Sequence, residues 1–163
     1  MKKTTEEQIK ALFAEHSFPP FEVIIPILEK TGKGEQELTA QTYDTGLSLA
    51  DGLKRILGIK ERSMKALAKI TEVILGFYGQ SFEPVELTDS RFSFSISDCP
   101  ILHVGKDVSS SVRGKFCDLW CASGSEAFMD AVLGKGKGTC SWNKALIRGA
   151  NKCVVTYELV KNR

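Results

Sequence analysis

The sequence of 163 residues lacks any apolar run near the ~20 residues that a membrane-spanning helix needs. Two lysines follow Met1, but no apolar segment comes after them, so the amino terminus does not match a secretory signal. Lysine and arginine are scattered and the net charge is +2, whereas nucleic-acid-binding surfaces concentrate positive charge on one face. These absences predict a cytoplasmic protein without a membrane or nucleic-acid partner.

Histidine is scarce, with two residues, and the five cysteines are an odd number. In a reducing compartment such cysteines favour buried thiols or metal ligands over a disulfide framework. The close spacing of zinc knuckles, with two residues between cysteines, is also absent. All five cysteines and both tryptophans lie between Phe92 and Leu159, so we expect the chemistry of the protein in this stretch.

Hydrophobic spacing divides the chain into a helical scaffold, residues 1–80, and a ligand-binding half that contains a sheet, residues 81–163. A chain of this length and 42% hydrophobic content fits a single domain, 1–163. Apolar residues three and four apart predict four helices in the first half, and Pro26 shortens or kinks the second of them. Their predicted ranges are 5–15, 21–30, 46–57 and 64–77, with 35–45 left unassigned.

In the second half the apolar period changes to two, which is typical of strands. Four strands arranged as two hairpins are predicted around 85–87, 92–96, 139–142 and 153–159. Helices are expected at 110–121 and from Ser125 onward. The fold class is therefore α+β, with N-terminal helices packed on a four-stranded antiparallel sheet in the order hairpin, helix, hairpin.

Three interpretations of the cysteines remain open. Cys99 and His103 are four residues apart, as are Cys117 and Cys121, and together they form a candidate tetrahedral zinc set. Cys99 could instead be a catalytic nucleophile with His103 as its base. The third interpretation is that these cysteines are small buried residues that fill the core or line a pocket.

Large aromatic residues in the same stretch predict an apolar binding pocket. The expected lining residues are Phe92, Phe94, Trp120, Phe128 and Trp142, with cysteines as soft or redox-sensitive contacts. The two tryptophans fit a pocket wall and a filled core equally well.

The order of motifs in residues 83–160 resembles a known superfamily. A strand ends in Cys99-Pro100, a helix carries Cys117, an acidic stretch covers 125–130, a strand carries Trp142, and Gly149 precedes Cys153 by four positions. This pattern resembles the aminothiazoline-carboxylate hydrolase-like proteins and the vinyl-reductase-type ligand-binding domains, which include methanogen sensor domains and, more remotely, transport-particle subunits.

The resemblance implies a homodimer with a small-molecule or hydrocarbon chamber between the helices and the sheet. It also implies that Cys99, Cys117 and Cys153 are the functional cysteines, and that zinc is bound in some members. In the hydrolase branch an aspartate follows the helical cysteine, and here Asp118 follows Cys117 directly.

The sequence thus favours a small-molecule-binding or sensory module with a cysteine-containing pocket. One alternative is a hydrolase acting on a small sulfur heterocycle or amide. The other is a protein-interaction scaffold without a ligand, which would carry an exposed apolar patch. The sequence does not distinguish an enzyme from a binding protein.

Overall fold

The computed structural model describes residues 4–16, 21–30, 33–99, 102 and 108–160. Helices occupy the first half of the chain and a sheet dominates the second, as predicted. The first four helices are α1 (Thr5–Glu15), α2 (Phe21–Glu29), α3 (Lys33–Leu57) and α4 (Met64–Phe77). They are followed by β1 (Glu83–Leu87), β2 (Arg91–Ile96), α5 (Ser110–Lys115), a π-helical segment (Phe116–Cys121), α6 (Ala122–Leu133), β3 (Gly138–Lys144), a 3-10 turn (Leu146–Arg148) and β4 (Cys153–Leu159).

Side-chain caps determine where α1 and α4 begin. Thr4 accepts a hydrogen bond from the Glu7 backbone N–H, and the Glu7 carboxylate accepts one from the Thr4 N–H, which completes a capping box at the start of α1. Ser63 accepts a bond from the Ala66 N–H and starts α4. These bonds satisfy backbone N–H groups that have no partner within the helix.

Helix α3 is longer than the predicted helix at 46–57, because it begins at Lys33 and runs for 25 residues. Gly46 lies in its interior, and a Cβ there would come 2.7 Å from the Cβ of Ala127 on α6. A Cβ at Gly52 would come 2.4 Å from Leu12 of α1. These glycines weaken the local helical signal but allow three helices to pack closely.

The four strands form one antiparallel sheet in the order β1-β2-β4-β3. β1 pairs with β2 and β3 pairs with β4, so both predicted hairpins are confirmed, and β2 with β4 forms the centre. The α+β fold class predicted from the sequence is also confirmed.

The two faces of this sheet differ in chemistry. On the inner face, the pairing aligns Phe94 with Val155 and Trp142, and Phe92 with Tyr157 and Cys140. The opposite face carries small hydroxyl residues, and Ser93 donates to the Val155 carbonyl oxygen at 3.2 Å. The alternation therefore directs aromatic and sulfur side chains toward the helices.

The segment from Ser110 to Leu133 runs through α5, the π-helical turn and α6, each directly following the last. Of the two helices predicted for this segment, the later one begins at Ala122 instead of the expected Ser125. It continues the earlier helix without a break. π-helical turns are uncommon and occur frequently at functional sites. Among the described residues, no helix is both long and apolar enough to cross a membrane.

Candidate ligand-binding site

A cavity of about 420 Å³ lies between the inner face of the sheet and the helices above it. Its walls come from the end of α4, from strands β2, β3 and β4, and from the helical run through the π-helical turn into α6. Pockets for small molecules usually measure about 300–1,000 Å³, so this cavity falls within the range for a compact ligand.

Most of the predicted ligand-binding residues meet in this cavity. Its lining includes Phe94, Cys117, Trp120, Phe128, Trp142 and Cys153. Phe92 does not contribute to the lining, because it is fully buried in the core. Its ring packs between Phe82 and Tyr157, with centroids 6.2 and 5.8 Å away. The ligand-binding role of these residues stays a prediction.

Three hydroxyl groups form the main polar feature of the cavity wall, and we call Thr71, Ser125 and Tyr157 the hydroxyl cluster. The Tyr157 hydroxyl is buried, and this burial raises its pKa well above the usual range, while the neighbouring hydroxyls of Ser125 and Thr71 oppose the shift. Thr71 Oγ1 approaches Tyr157 but makes no hydrogen bond of standard geometry within the described residues. This oxygen belongs to a side chain that is 2% exposed.

A second polar atom of the lining is the indole Nε1 of Trp142. It is buried and has no hydrogen-bond partner in the described part of the chain. Indole nitrogen is a donor only, so it requires an acceptor. Buried polar groups are nearly always hydrogen-bonded in native proteins, so such an atom calls for an explanation.

Charge is sparse on the cavity wall. Asp98 is the acidic residue of the described lining, and no lysine, arginine or histidine is found there. Asp98 is solvent-exposed and Tyr78 is 38% exposed, so the cavity opens to solvent at this end. The remaining wall is mostly aliphatic, aromatic or sulfur-containing.

Four cysteines line the cavity, and we call Cys99, Cys117, Cys121 and Cys153 the cavity cysteines. All five cysteines of the chain are thiols. The Cys121 thiol donates a hydrogen bond to the Cys117 sulfur, which lowers the pKa of Cys117 and raises that of Cys121. The Cys153 sulfur accepts a bond from the Leu146 N–H at 3.3 Å.

Cys140 lies outside this group. Burial raises the pKa of Cys140 to about 12, although a hydrogen bond from Ser125 opposes the shift. At neutral pH its thiol is therefore protonated and a poor nucleophile.

The predicted catalytic pair and zinc set cannot be assembled from the described residues alone. Cys99, Cys117 and Cys121 face the same cavity, but His103 lies outside the residues that the structure describes. Within those residues, no group of three or more His, Cys, Asp or Glu side chains is arranged to hold a metal ion. The zinc site and the Cys99–His103 pair stay predictions, and we assign no step to a metal.

The hydroxyl cluster was missed from the sequence. Tyr157 follows the alternation of β4, which places it on the same face as Cys153 and Val155 but does not single out its hydroxyl. Thr71 lies among the apolar residues of α4, between Ile70 and Ile74. The signal available in the sequence was a threonine on the otherwise apolar face of α4, because a hydroxyl group that becomes buried must find a hydrogen-bond partner in the fold.

No family model matches the chain, and no curated protein matches it. Solved structures share its fold, among them two with a bound molecule. One is a trafficking protein particle complex subunit 3 from Naegleria fowleri covalently bound to palmitic acid, with 14% identity, a TM-score of 0.64, and coverage of 96% of this chain and 97% of that one. The other is the phenol-responsive sensory domain of the transcription activator PoxR with phenol, with 11% identity, a TM-score of 0.57, and coverage of 100% and 94%. This fold is therefore one that ligand-bound and sensory domains also adopt.

Proposed function

We propose that the chain is a ligand-binding or sensory module for a neutral, apolar small molecule that carries one or two hydrogen-bonding groups. The observation that carries this proposal is the largely apolar cavity of about 420 Å³. Two buried polar atoms of its lining residues, Thr71 Oγ1 and Trp142 Nε1, have no hydrogen-bond partner within the described residues. A ligand oxygen would supply an acceptor for the indole and a partner for the hydroxyl.

The free energies favour this ligand class. Leaving a buried polar group unpaired costs about 1–3 kcal/mol, so a ligand that pairs with it binds more tightly than a pure hydrocarbon of the same shape. An anionic ligand would be buried without a compensating cation among the described lining residues, which include no lysine, arginine or histidine. Burial of an unpaired charge is strongly unfavourable.

Similar folds support the proposal. The phenol-responsive domain and the palmitate-bound subunit both have the arrangement of helices and sheet described above. We also infer that the chain belongs to the superfamily of hydrolase-like and sensory ligand-binding domains that its sequence resembles. The cavity of this chain, and not the shared fold, indicates the class of ligand, since one fold hosts many functions.

The test is a competition assay with the neutral fluorescent probe N-phenyl-1-naphthylamine. Probe fluorescence is titrated with the full chain, and the bound probe is then displaced by naphthalene, 1-naphthol or 1-naphthoate at pH 7.5. We expect 1-naphthol to bind about tenfold more tightly than naphthalene, and 1-naphthoate to bind the most weakly. Equal or stronger binding of the carboxylate would contradict the proposed ligand class, and absence of saturable probe binding would favour the scaffold alternative.

Two variants locate the binding in the cavity. Trp142→Ala removes a lining aromatic and its indole donor, and we expect about a tenfold or greater loss of 1-naphthol affinity. Val85→Ala is the matched control, because Val85 is 61% exposed on β1 and does not line the cavity. Equal affinities for these two variants would place the ligand elsewhere.

A hydrolase makes a different prediction at Cys99, which lines the same cavity. For a binding module, Cys99→Ser should leave 1-naphthol affinity within about twofold, because the substitution changes one polarizable atom. A hydrolase would turn over a sulfur heterocycle such as 2-aminothiazoline-4-carboxylate and would lose that turnover in the same variant. Hydrolysis that disappears in Cys99→Ser while the fold persists would replace the binding proposal with the enzymatic one.

A further inference from the structure

The cavity wall contains two thiols about one helical turn apart. Cys117 and Cys121 lie at the second and last positions of the π-helical segment, and their side chains are hydrogen-bonded to each other. In an α-helix, Cα atoms four residues apart lie about 6 Å from each other, and the lower rise of a π-helix brings them no farther apart, so the Cα distance falls within the range that a disulfide can bridge. Because a disulfide also needs Cβ atoms about 3.5–4.5 Å apart, the π-helical turn has to tighten locally when the two sulfurs are joined.

We propose that Cys117 and Cys121 form an oxidisable dithiol that a peroxide converts to an intramolecular disulfide. The inference stands apart from the proposed ligand, because it concerns the protein alone. The thiols line a cavity that opens to solvent near Tyr78 and Asp98, so a molecule as small as hydrogen peroxide can reach them.

The two thiols have different roles in this reaction. The hydrogen bond from Cys121 stabilises the Cys117 thiolate and lowers its pKa, and Arg148 contributes in the same direction. Burial and the neighbouring Asp118 oppose this shift. A thiolate is the attacking form of cysteine, so Cys117 is the first nucleophile and Cys121 the resolving thiol.

The reaction balances in two steps. The Cys117 sulfur attacks one peroxide oxygen, the O–O bond breaks, and the other oxygen leaves as water after it takes a proton. Cys117 is then a sulfenic acid. The Cys121 sulfur attacks it, the S–S bond forms, the S–O bond breaks, and a second water leaves with the thiol proton. Two thiols are oxidised and one peroxide is reduced to two waters.

The test is peptide mass spectrometry on the ligand-free full chain. Trypsin releases residues 116–135 as one peptide that contains both cysteines and no other. After brief treatment with hydrogen peroxide and alkylation under denaturing conditions, we expect this peptide to be unalkylated and two hydrogens lighter. Dithiothreitol should restore both alkylation sites. A disulfide that links this peptide to Cys99 or Cys153 would overturn the proposal.

Three variants assign the roles. In Cys121→Ser the sulfenic acid of Cys117 should persist and be trapped by dimedone, whereas Cys117→Ser should slow oxidation of the peptide about tenfold. Cys140→Ser is the matched control and should oxidise like the wild type, because the buried Cys140 thiol is protonated at neutral pH. Circular dichroism checks that each variant is folded, and Cys117→Ala repeats the assay if the serine is not tolerated. Oxidation of the Cys117 variant at the wild-type rate would exclude Cys117 as the nucleophile.

Discussion

At the residue scale, the Tyr157 hydroxyl is the group that connects the sheet to α4 and α6. The side chain comes from β4, is 1% exposed, and meets Ser125 of α6 and Thr71 of α4. The ring packs on Phe92 and Phe94, with centroids 5.8 and 5.9 Å away. The ring thus belongs to the core, while the oxygen belongs to the cavity wall.

Tyr157→Phe removes this oxygen and keeps the ring. We expect 1-naphthol to lose about fivefold to tenfold in affinity, since its hydroxyl pairs with the hydroxyl cluster to which Tyr157 belongs and one hydrogen bond contributes about 1 kcal/mol. Naphthalene has no hydroxyl to pair, so its affinity should change less than twofold. The measurement is the same probe-displacement assay with both ligands, and equal losses for the two would show that the substitution disturbs the packing of the cavity rather than a polar contact.

At the scale of secondary-structure elements, Gly46 determines how closely α3 approaches α6. A Cβ at this position would lie 2.7 Å from the Cβ of Ala127 and 3.3 Å from the ring of Phe128. The Ala127 Cβ is fixed to its backbone, so one helix must move to accommodate a side chain at Gly46. Phe128 also lines the cavity, so this contact joins helix packing to the site.

Gly46→Ala should therefore destabilise the protein by about 1–3 kcal/mol, as overpacking of a core does. Gly114→Ala in α5 is the matched control, because its Cβ would meet nothing within 4 Å. There the gain in helix propensity should stabilise the protein by about 0.5–1 kcal/mol. Chemical denaturation of both variants checks the signs, and stabilisation by Gly46→Ala would show that the two helices are farther apart.

A hydrogen bond also joins α3 to α6. The Tyr43 hydroxyl donates to Asp130 Oδ2 at 2.6 Å, and Asp130 Oδ1 accepts from the Gly136 N–H at 3.0 Å. The bond to Asp130, together with burial, raises the pKa of Tyr43 from 10.0 to about 12. The protonated hydroxyl is thus favoured in the folded state, so its contribution to stability is complete below pH 10 and is lost between pH 10 and about 12.

Tyr43→Phe should lower the free energy of unfolding by about 1 kcal/mol, because the partly exposed hydrogen bond to a carboxylate is lost. The difference between the wild type and the variant should be constant between pH 7 and pH 9, below the range where Tyr43 titrates in either state. Urea unfolding at these two pH values provides the measurement. A difference that already decreases by pH 9 would contradict the raised pKa of this tyrosine.

At the scale of the whole molecule, one core connects the two halves of the chain. Leu12, Leu49 and Leu67 of the helical half belong to the same buried cluster as Phe94 and Val155 of the sheet. This shared core supports the proposal that residues 1–163 fold as one domain. The homodimer implied by the sequence resemblance stays a prediction, and light scattering coupled to size-exclusion chromatography tests it directly.

Because the cavity lies between the two halves, a bound ligand should stabilise the entire fold. At a 1-naphthol concentration of 100 times its dissociation constant, linkage gives about 2.7 kcal/mol. For a chain of this size that corresponds to a rise in Tm of about 5–10 °C. Thermal unfolding followed by circular dichroism measures the shift, and Trp142→Ala should show a clearly smaller one at the same ligand concentration. An unchanged wild-type Tm would argue against binding in the native cavity.

The sequence by itself determined the order of helices and strands, the two hairpins and the inward face of the sheet, because helical and strand periods are local properties of the chain. It also located the stretch from Phe92 to Leu159 that provides most of the cavity wall. The polar composition of residues 35–45 hid the first part of α3, since few apolar residues mark a helical face there. Phe92 and Phe94 have the same period and face, so local pattern could not separate a core residue from a lining residue. Tertiary structure alone decided that difference, together with the hydroxyl cluster and the Cys117–Cys121 contact, because a cavity depends on the gap between packed elements.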